Sequence, residues 1–378
     1  MLPFNKPFLT GKETDYIRQA VESGKISGNG LFTQRCQQLL EQRYAFAKVL
    51  LTTSCTDALE MAAILADVVP GDEVIVPSFT FVSSALAFVR QGAKIVFADS
   101  ARDNPNLNVG LLEPLINTRT KVLVVVHYAG IACDMDAVMA LAHKYNLIVV
   151  EDAAQAIDAT YKARPLGGIG HLGCFSFHET KNIISGEGGA LVINDSRFLK
   201  RAEVIWEKGT NRAQYFRGEI DKYGWVDTGS SFLPSEIIAA FLYAQLESLD
   251  VIQRRRLALW QEYSSGLHEL AEGGCFKTPQ QPSYASNNAH MFYLVCRSPE
   301  ERSALISYLK AAAINAVFHY QSLHQSAFYS GRHDGRMLPH ADRFTDCLVR
   351  LPMYFEMTLD QVREVCRRVG EFYESKHE

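Results

Sequence analysis

No apolar run in this 378-residue chain approaches the roughly 20 residues that a membrane helix needs, and the opening Met1-Leu-Pro-Phe-Asn-Lys-Pro7 lacks the apolar core of a secretory leader. Lys and Arg form no block or stripe and the net charge is -4, so neither nucleic acid nor an anionic membrane surface is an expected partner. None of the eight cysteines is close enough to another for a Cys-x-x-Cys clip. Several, such as Cys296, lie in apolar runs as buried free thiols, which fits a reducing cytoplasm. The chain also lacks a G-x-S-x-G elbow, a Walker sequence, an internal repeat and any low-complexity tract. His319 and His324 have no carboxylate cluster beside them, so they do not make a metal site. What these absences leave is a globular protein whose partners are small molecules or a second copy of itself.

What is present is alternation. Short runs rich in Val and Ile at 49–52, 73–76, 94–98, 122–126 and 147–150 are separated by helical patterns near 56–67, 80–91, 110–117 and 134–145. Strands apolar on both faces and alternating with helices predict a mostly parallel α/β sheet, with ligands bound beyond its carboxyl edge. Thr10-Gly-Lys-Glu13 reads as a capping box at the start of the first helix. Helices are expected near 33–44, 198–206, 235–246 and 250–271. Between them the polar, aromatic-rich segment 208–232 has no clear period, and such a long irregular stretch reads as an interface arm or functional loop. The Pro- and Gln-rich stretch near 273–286 leads into strands near 291–296 and 316–319 and helices near 300–312 and 358–374. The expected division is a large α/β domain, 1–249, and a smaller C-terminal α+β domain, 250–378.

The candidate chemistry sits at strand ends. In Cys174-Phe-Ser-Phe-His-Glu-Thr-Lys181, a strand run leads to a lysine in a polar turn, and Gly186, Gly188 and Gly189 return the chain to the apolar run at 190–193. Burial there disfavours the ammonium and leaves a neutral amine, able to form a Schiff base with a carbonyl; a surface turn is the plainer alternative. Ser54-Cys-Thr56-Asp57 runs from a strand into a helix, where free N-H groups suit a phosphate or an ordinary N-cap. Glu151-Asp152 ends a buried strand and needs a cation or strong donors, such as a protonated heterocyclic nitrogen or a helix start. Phe81 is placed to stack on a flat ring or to join the core. Gly168-Ile-Gly170-His-Leu-Gly173 satisfies G-x-G-x-x-G but opens a strand rather than a helix, so it carries no dinucleotide reading.

Seven motifs at consistent spacing resemble the sugar-nucleotide aminotransferases of the DegT/DnrJ/StrS type. They are Ser54-Cys-Thr-Asp-Ala-Leu59, Pro70-Gly-Asp-Glu-Val74, Pro77-Ser-Phe-Thr-Phe81, His127-Tyr-Ala-Gly130, Glu151-Asp-Ala-Ala-Gln155, Ser176-Phe-His-Glu-Thr-Lys181 and Gly186-Glu-Gly-Gly189. The resemblance covers nearly the whole chain and implies the pyridoxal 5'-phosphate-dependent fold of aspartate aminotransferase. It implies that Lys181 joins the cofactor aldehyde, Asp152 pairs with the pyridine nitrogen and Gln155 meets the ring hydroxyl. It further implies that Thr56, the Asp57 backbone N-H and Ser176 hold the phosphate, that Phe81 stacks on the ring, and that Ser231 reaches the phosphate of a second subunit. A homodimer with shared active sites, L-glutamate as amino donor and a nucleotide-linked keto sugar as acceptor follow from the same resemblance, with Arg212, His319 and Tyr320 as candidate substrate contacts. Cys55 and Ser231 depart from it, many members having Gly and Asn there.

Overall fold

The computed structural model describes residues 1–375. Its centre is a seven-stranded sheet containing β1 (Val49–Thr52), β2 (Glu73–Pro77), β3 (Lys94–Ala98), β4 (Thr120–Val126) and β5 (Ile148–Asp152). A two-stranded ribbon follows, β6 (Thr160–Tyr161) with β7 (Arg164–Pro165), before the last two strands of the large sheet, β8 (Leu172–Ser176) and β9 (Gly189–Ile193). The order across the sheet is β1-β9-β8-β5-β4-β2-β3. Neighbours are parallel from β8 to β3, whereas β9 runs antiparallel to both β8 and β1.

Alternate side chains of each strand join different cores, which is why the strand runs read as continuously apolar. Leu123 and Val125 of β4 pack with Ile75, Val96 and Val149 on one face; Val122 and Val124 pack with Val74, Phe97 and Val150 on the other. Helices Cys55–Leu65, Ser83–Arg90 and Met135–Tyr145 cover the faces. A smaller three-stranded antiparallel sheet follows, β10 (Tyr293–Val295), β12 (Leu348–Arg350) and β11 (Val317–Phe318) in that order. It has its own core around Phe292, Leu305, Val349 and Val365. The molecule thus has the mostly parallel α/β body and smaller α+β part that the sequence predicts.

The differences are local. Residues 110–117 form two 3-10 turns, Val109–Leu111 and Glu113–Leu115, because Pro114 lies inside the stretch and cannot donate to a helical ladder. The expected helix at 250–271 is two, Leu249–Gly266 and His268–Glu272. The first helix begins at Glu13, and the Thr10 side chain does not cap it. Glu13 itself accepts from the backbone N-H groups of Thr10 and Gly11, so half of the expected capping box forms. Helix Pro339–Cys347 and the three-residue β12 are elements that the sequence analysis does not predict. Segment 208–232 holds one short helix, Arg212–Phe216, and leaves Phe216, Tyr223, Trp225 and Val226 exposed. Among the described residues no helix is long and apolar enough to cross a membrane.

Candidate active site

A cavity of about 1160 Å³ opens at the carboxyl edge of the parallel strands, walled by the large sheet on one side and by β11 and β12 on the other. Lys181, Asp152, Gln155, Thr56, Phe81, Ser176, His319 and Tyr320 all line it. Arg212 and Ser231 do not, nor does Asp57.

Lys181 stands in the connection between the antiparallel pair β8 and β9, and backbone bonds pin that connection at both ends. Phe177 N-H donates to Gly188 O (2.8 Å), Ser185 N-H to Phe177 O (2.7 Å) and Glu179 N-H to Gly186 O (2.9 Å). Gly186 turns the chain at φ +79°, a conformation that favours glycine. Burial lowers the pKa of the Lys181 amine, against the opposing pull of Cys55 and Asp152, and the positive charge of Arg350 lowers it further. The next residue, Asn182, donates to Gln253 Oε1 (2.9 Å) and Asn288 O (2.8 Å). Its Oδ1 therefore accepts from His290 Nδ1 (2.8 Å), and burial keeps that histidine neutral.

The acid pair at the end of β5 divides its labour. Glu151 is fully buried and faces away from the cavity, accepting from the N-H groups of Gly167 (2.8 Å), Ile169 (2.7 Å) and Gly170 (2.5 Å) and from His127 Nε2 (2.9 Å). His127 Nδ1 accepts from Cys133 N-H (3.2 Å), which fixes Nε2 as the protonated nitrogen. Burial works to raise the Glu151 pKa, but His127 and these N-H donors outweigh it and hold it below the usual value. The G-x-G-x-x-G stretch is thus the cradle of a buried carboxylate. Asp152, 5 % exposed, turns toward the cavity. Burial raises its pKa despite hydrogen bonds from Ser84 Oγ (2.6 Å) and Ala154 N-H (3.1 Å) and the nearby Lys181 charge, and no cation among the described residues stands within 4 Å of it.

Across the cavity, Gln155 Oε1 accepts from Ala129 N-H (2.6 Å) and its Nε2 donates to the Tyr320 hydroxyl (2.9 Å). Tyr320 adopts φ +37°, rare for an aromatic residue, and stacks on His319 with ring centroids 3.5 Å apart. His319 Nδ1 meets the Tyr128 hydroxyl at 2.6 Å. The Phe81 ring is 56 % exposed at the cavity wall, 6.0 Å from that of Tyr320, so it is not core.

At the helix start Cys55–Leu65, Ser54 caps through Asp57 N-H (3.1 Å). That N-H is therefore already engaged, and the Asp57 carboxylate bonds Thr53, which places the residue as a support for the cap. Thr56 Oγ1 meets Ser83 Oγ at 2.7 Å, adding a hydroxyl the sequence reading missed; only the fold brings the starts of two helices together. A Cβ on Gly189 would lie 2.4 to 2.5 Å from backbone atoms of Ser54 and Cys55, so this glycine lets β9 press against the same turn. Arg350, Arg256 and His290 are charged or polar groups among the further lining residues that the sequence did not single out. Each depends on the packing of the smaller sheet and its neighbours against the larger one.

A buried carboxylate without a cation, a depressed lysine amine and a hydroxyl-lined helix start around one cavity are what a pyridine ring nitrogen, an aldehyde and a phosphate require. The fold and site are those of a pyridoxal phosphate-dependent aminotransferase. Residues 7–370 match the DegT/DnrJ/EryC1/StrS aminotransferase family, and the chain belongs to it. It is 28% identical over 379 residues to the GDP-perosamine synthase of Escherichia coli O157:H7, covering 99% of each chain. Among solved structures it is similar to S. venezuelae DesV in complex with a ketimine intermediate (31% identical, TM-score 0.90, 99% and 98% of the two chains). It is also similar to Spr1654 of Streptococcus pneumoniae in its PLP form (26% identical, TM-score 0.90, 99% of each). The chain is a sugar aminotransferase that uses pyridoxal phosphate, an amino donor and a sugar-nucleotide ketone.

Proposed function

We propose that this enzyme moves the amino group of L-glutamate onto a dTDP-linked 4-keto-6-deoxy sugar, giving dTDP-4-amino-4,6-dideoxygalactose for a surface polysaccharide such as a lipopolysaccharide or the enterobacterial common antigen. The product assignment is supported by the likeness of Ser54-Cys-Thr56, His178-Glu-Thr-Lys-Asn182 and Gly229-Ser-Ser231 to the transaminase that makes this sugar. The observation that carries the chemistry is the placement of Lys181 and Asp152 on one cavity wall, close enough for each to perturb the other's ionisation.

Bound pyridoxal phosphate supplies an aldehyde that joins amines and a ring that accepts electrons. Asp152 would hold the proton on the ring nitrogen, whose positive charge would offset the burial that raises its own pKa. Lys181 would hold the aldehyde of the bound cofactor. Its amine, depressed by burial, would serve as the general base and acid that takes up and returns the proton in both half-reactions. Thr56, Ser176 and the helix start at Ser54 would receive the phosphate, Phe81 would cover the ring, and Gln155 would meet the ring hydroxyl. His319 and Tyr320 border the sugar. Arg212 and Ser231, outside this chain's own cavity, act in the cavity of a second copy through the 208–232 arm, in a homodimer with shared sites.

The division into parts at 249/250 is proposed on the same grounds, with helix Leu249–Gly266 leading from one to the other. The test is incubation with L-glutamate and a panel of dTDP-, UDP- and GDP-linked keto sugars, with product stereochemistry read by NMR. An axial 4-amine on the dTDP sugar is expected. A 3-amine, an equatorial 4-amine or exclusive use of a GDP sugar would replace the product assignment, and no transfer at all would indicate a catalytically silent member.

A further inference from the structure

A buried amide network beside Lys181 fixes which atom His290 presents to the cavity. Its orientation starts from a backbone carbonyl, which can only accept. Asn288 O takes hydrogen bonds from Asn182 Nδ2 (2.8 Å) and Gln253 Nε2 (3.2 Å). Gln253 Oε1 is then the acceptor of the second Asn182 N-H (2.9 Å), and both Asn182 protons are spent. What remains of that amide is Oδ1, so His290 Nδ1, 2.8 Å away, carries the proton. The histidine is also held from behind. Its N-H donates to Asn288 Oδ1 (3.1 Å) and its carbonyl accepts from Arg256 Nη2 (2.6 Å). Asn288 Nδ2 in turn donates to the carbonyls of Gln155 and Ile157, each at 2.8 Å.

His290 is 8 % exposed and lines the cavity. Burial and the charges of Lys181, Arg256 and Arg350 act against its protonation, and no carboxylate among the described residues forms an ion pair with it. A neutral imidazole protonated at Nδ1 has a bare lone pair at Nε2, and no described residue donates to it. A buried acceptor of this kind is costly until a donor meets it.

We infer that His290 Nε2 accepts a hydrogen bond from the sugar hydroxyl beside the carbon that is aminated. This deepens the proposed function and rests on its reading of the acceptor as a 4-keto-6-deoxy sugar. L-glutamate offers the cavity two carboxylates, which a lone pair repels, and one amine, which is consumed in joining the cofactor. The keto sugar offers hydroxyl donors. Asn182 follows Lys181 directly in the chain, so a ring bonded to Asn182 stands within one residue of the amine that acts on the reacting carbon. In a 4-keto-6-deoxy hexose that carbon is flanked by C5, which carries the methyl group and the ring oxygen, and by C3, which carries a hydroxyl. The C3 hydroxyl is therefore the donor, and His290 selects in the sugar half-reaction and not in the glutamate half-reaction.

The test takes cofactor-loaded enzyme that has accepted the amino group from glutamate and been freed of excess donor. It is mixed with 4-keto-6-deoxyglucose carried on the accepted nucleotide, or with the 3-deoxy analogue of that sugar, and the return of the cofactor absorbance is followed. The unsubstituted enzyme should prefer the hydroxylated sugar by about tenfold in half-saturation, the scale of one neutral hydrogen bond. His290→Asn can keep an N-H toward Asn182 but has no acceptor at the place of Nε2. It should abolish the preference by weakening the hydroxylated sugar alone, with its thermal midpoint and cofactor absorbance retained. No preference in the unsubstituted enzyme, or an undiminished one in H290N, would overturn the assignment. An equal loss in the glutamate half-reaction would also overturn it, by giving the lone pair to the Lys181 amine. Independently of any sugar, the imidazole 15N spectrum at neutral pH, with His290 assigned through the same variant, should show Nδ1 protonated and Nε2 bare; a protonated Nε2 would refute the inference. Failure to aminate any sugar would remove the proposed function and this inference with it, whereas equal amination of the two sugars strikes this inference alone.

Discussion

At Lys181 the surroundings have already done much of what a reactive amine needs, since burial and the Arg350 charge both act against its protonation. Lys181→Ala should fold normally by circular dichroism and lose both the borohydride-reducible link to the cofactor and all transamination. Full activity in that variant would sink the assignment. Asp152→Asn should still take up cofactor and should slow turnover by about 100-fold or more, because a neutral amide cannot hold the ring nitrogen protonated. Stopped-flow measurement of the glutamate half-reaction decides it. Both residues were legible in the sequence because each is a charged group abutting a run of buried apolar residues, where an idle charge would be costly. Arg350 was not legible. Three residues of strand give no period, and nothing local tells that its neighbours across the fold are Phe4, Phe318 and the far wall of a cavity. Arg212 lies over the Phe216 ring, outside this chain's own cavity, and its proposed role depends on a second copy.

At the scale of elements, the strand-helix alternation could be read because a strand buried on both faces must be apolar through its middle, and β1 to β5, β8 and β9 keep their polar residues at the strand ends. Where a proline or a break between two helices intervened, as at 110–117 and at Leu267, periodicity overstated the helix. The N-H groups of the loop from Gly167 to Gly170 converge on one carboxylate, so Glu151→Gln is expected to lower stability by about 3 kcal/mol by placing an amide donor against N-H donors. The pH dependence follows from the depressed pKa of Glu151. Its ionised form contributes stability in full above its unfolded pKa of roughly 4.3, and that contribution is lost as the pH falls through the lower folded value. The denaturation midpoints of wild type and E151Q should therefore converge in acid; a gap that widens there would contradict the account. Gly189→Ala should disturb the turn at Ser54 and Cys55 and weaken cofactor binding by about tenfold, measured by equilibrium titration, through contacts no real Cβ could tolerate.

For the whole molecule, the exposed aromatic stretch of the arm asks for a partner. Trp225 is 84 % and Phe216 68 % exposed, and neither is spent on this chain's own core. With Arg212 and Ser231 also excluded from the chain's own cavity, association between two copies gives these four residues a common use. Sedimentation should find a dimer, and Trp225→Ala with Phe216→Ala should shift it toward monomer and reduce transamination. A fully active monomer would refute shared sites. The sequence carried the arm as a polar, aromatic-rich stretch without a period, which names no packing partner within the chain.

The antiparallel insertion of β9 between β8 and β1 has a mechanical corollary for Lys181. A crossover would hang the lysine on a long, independently moving segment, whereas here its anchor is a short bridge riveted to two adjacent rungs of the sheet. The amine can therefore swing between its partners on a flexible methylene tether while the post it swings from stays still.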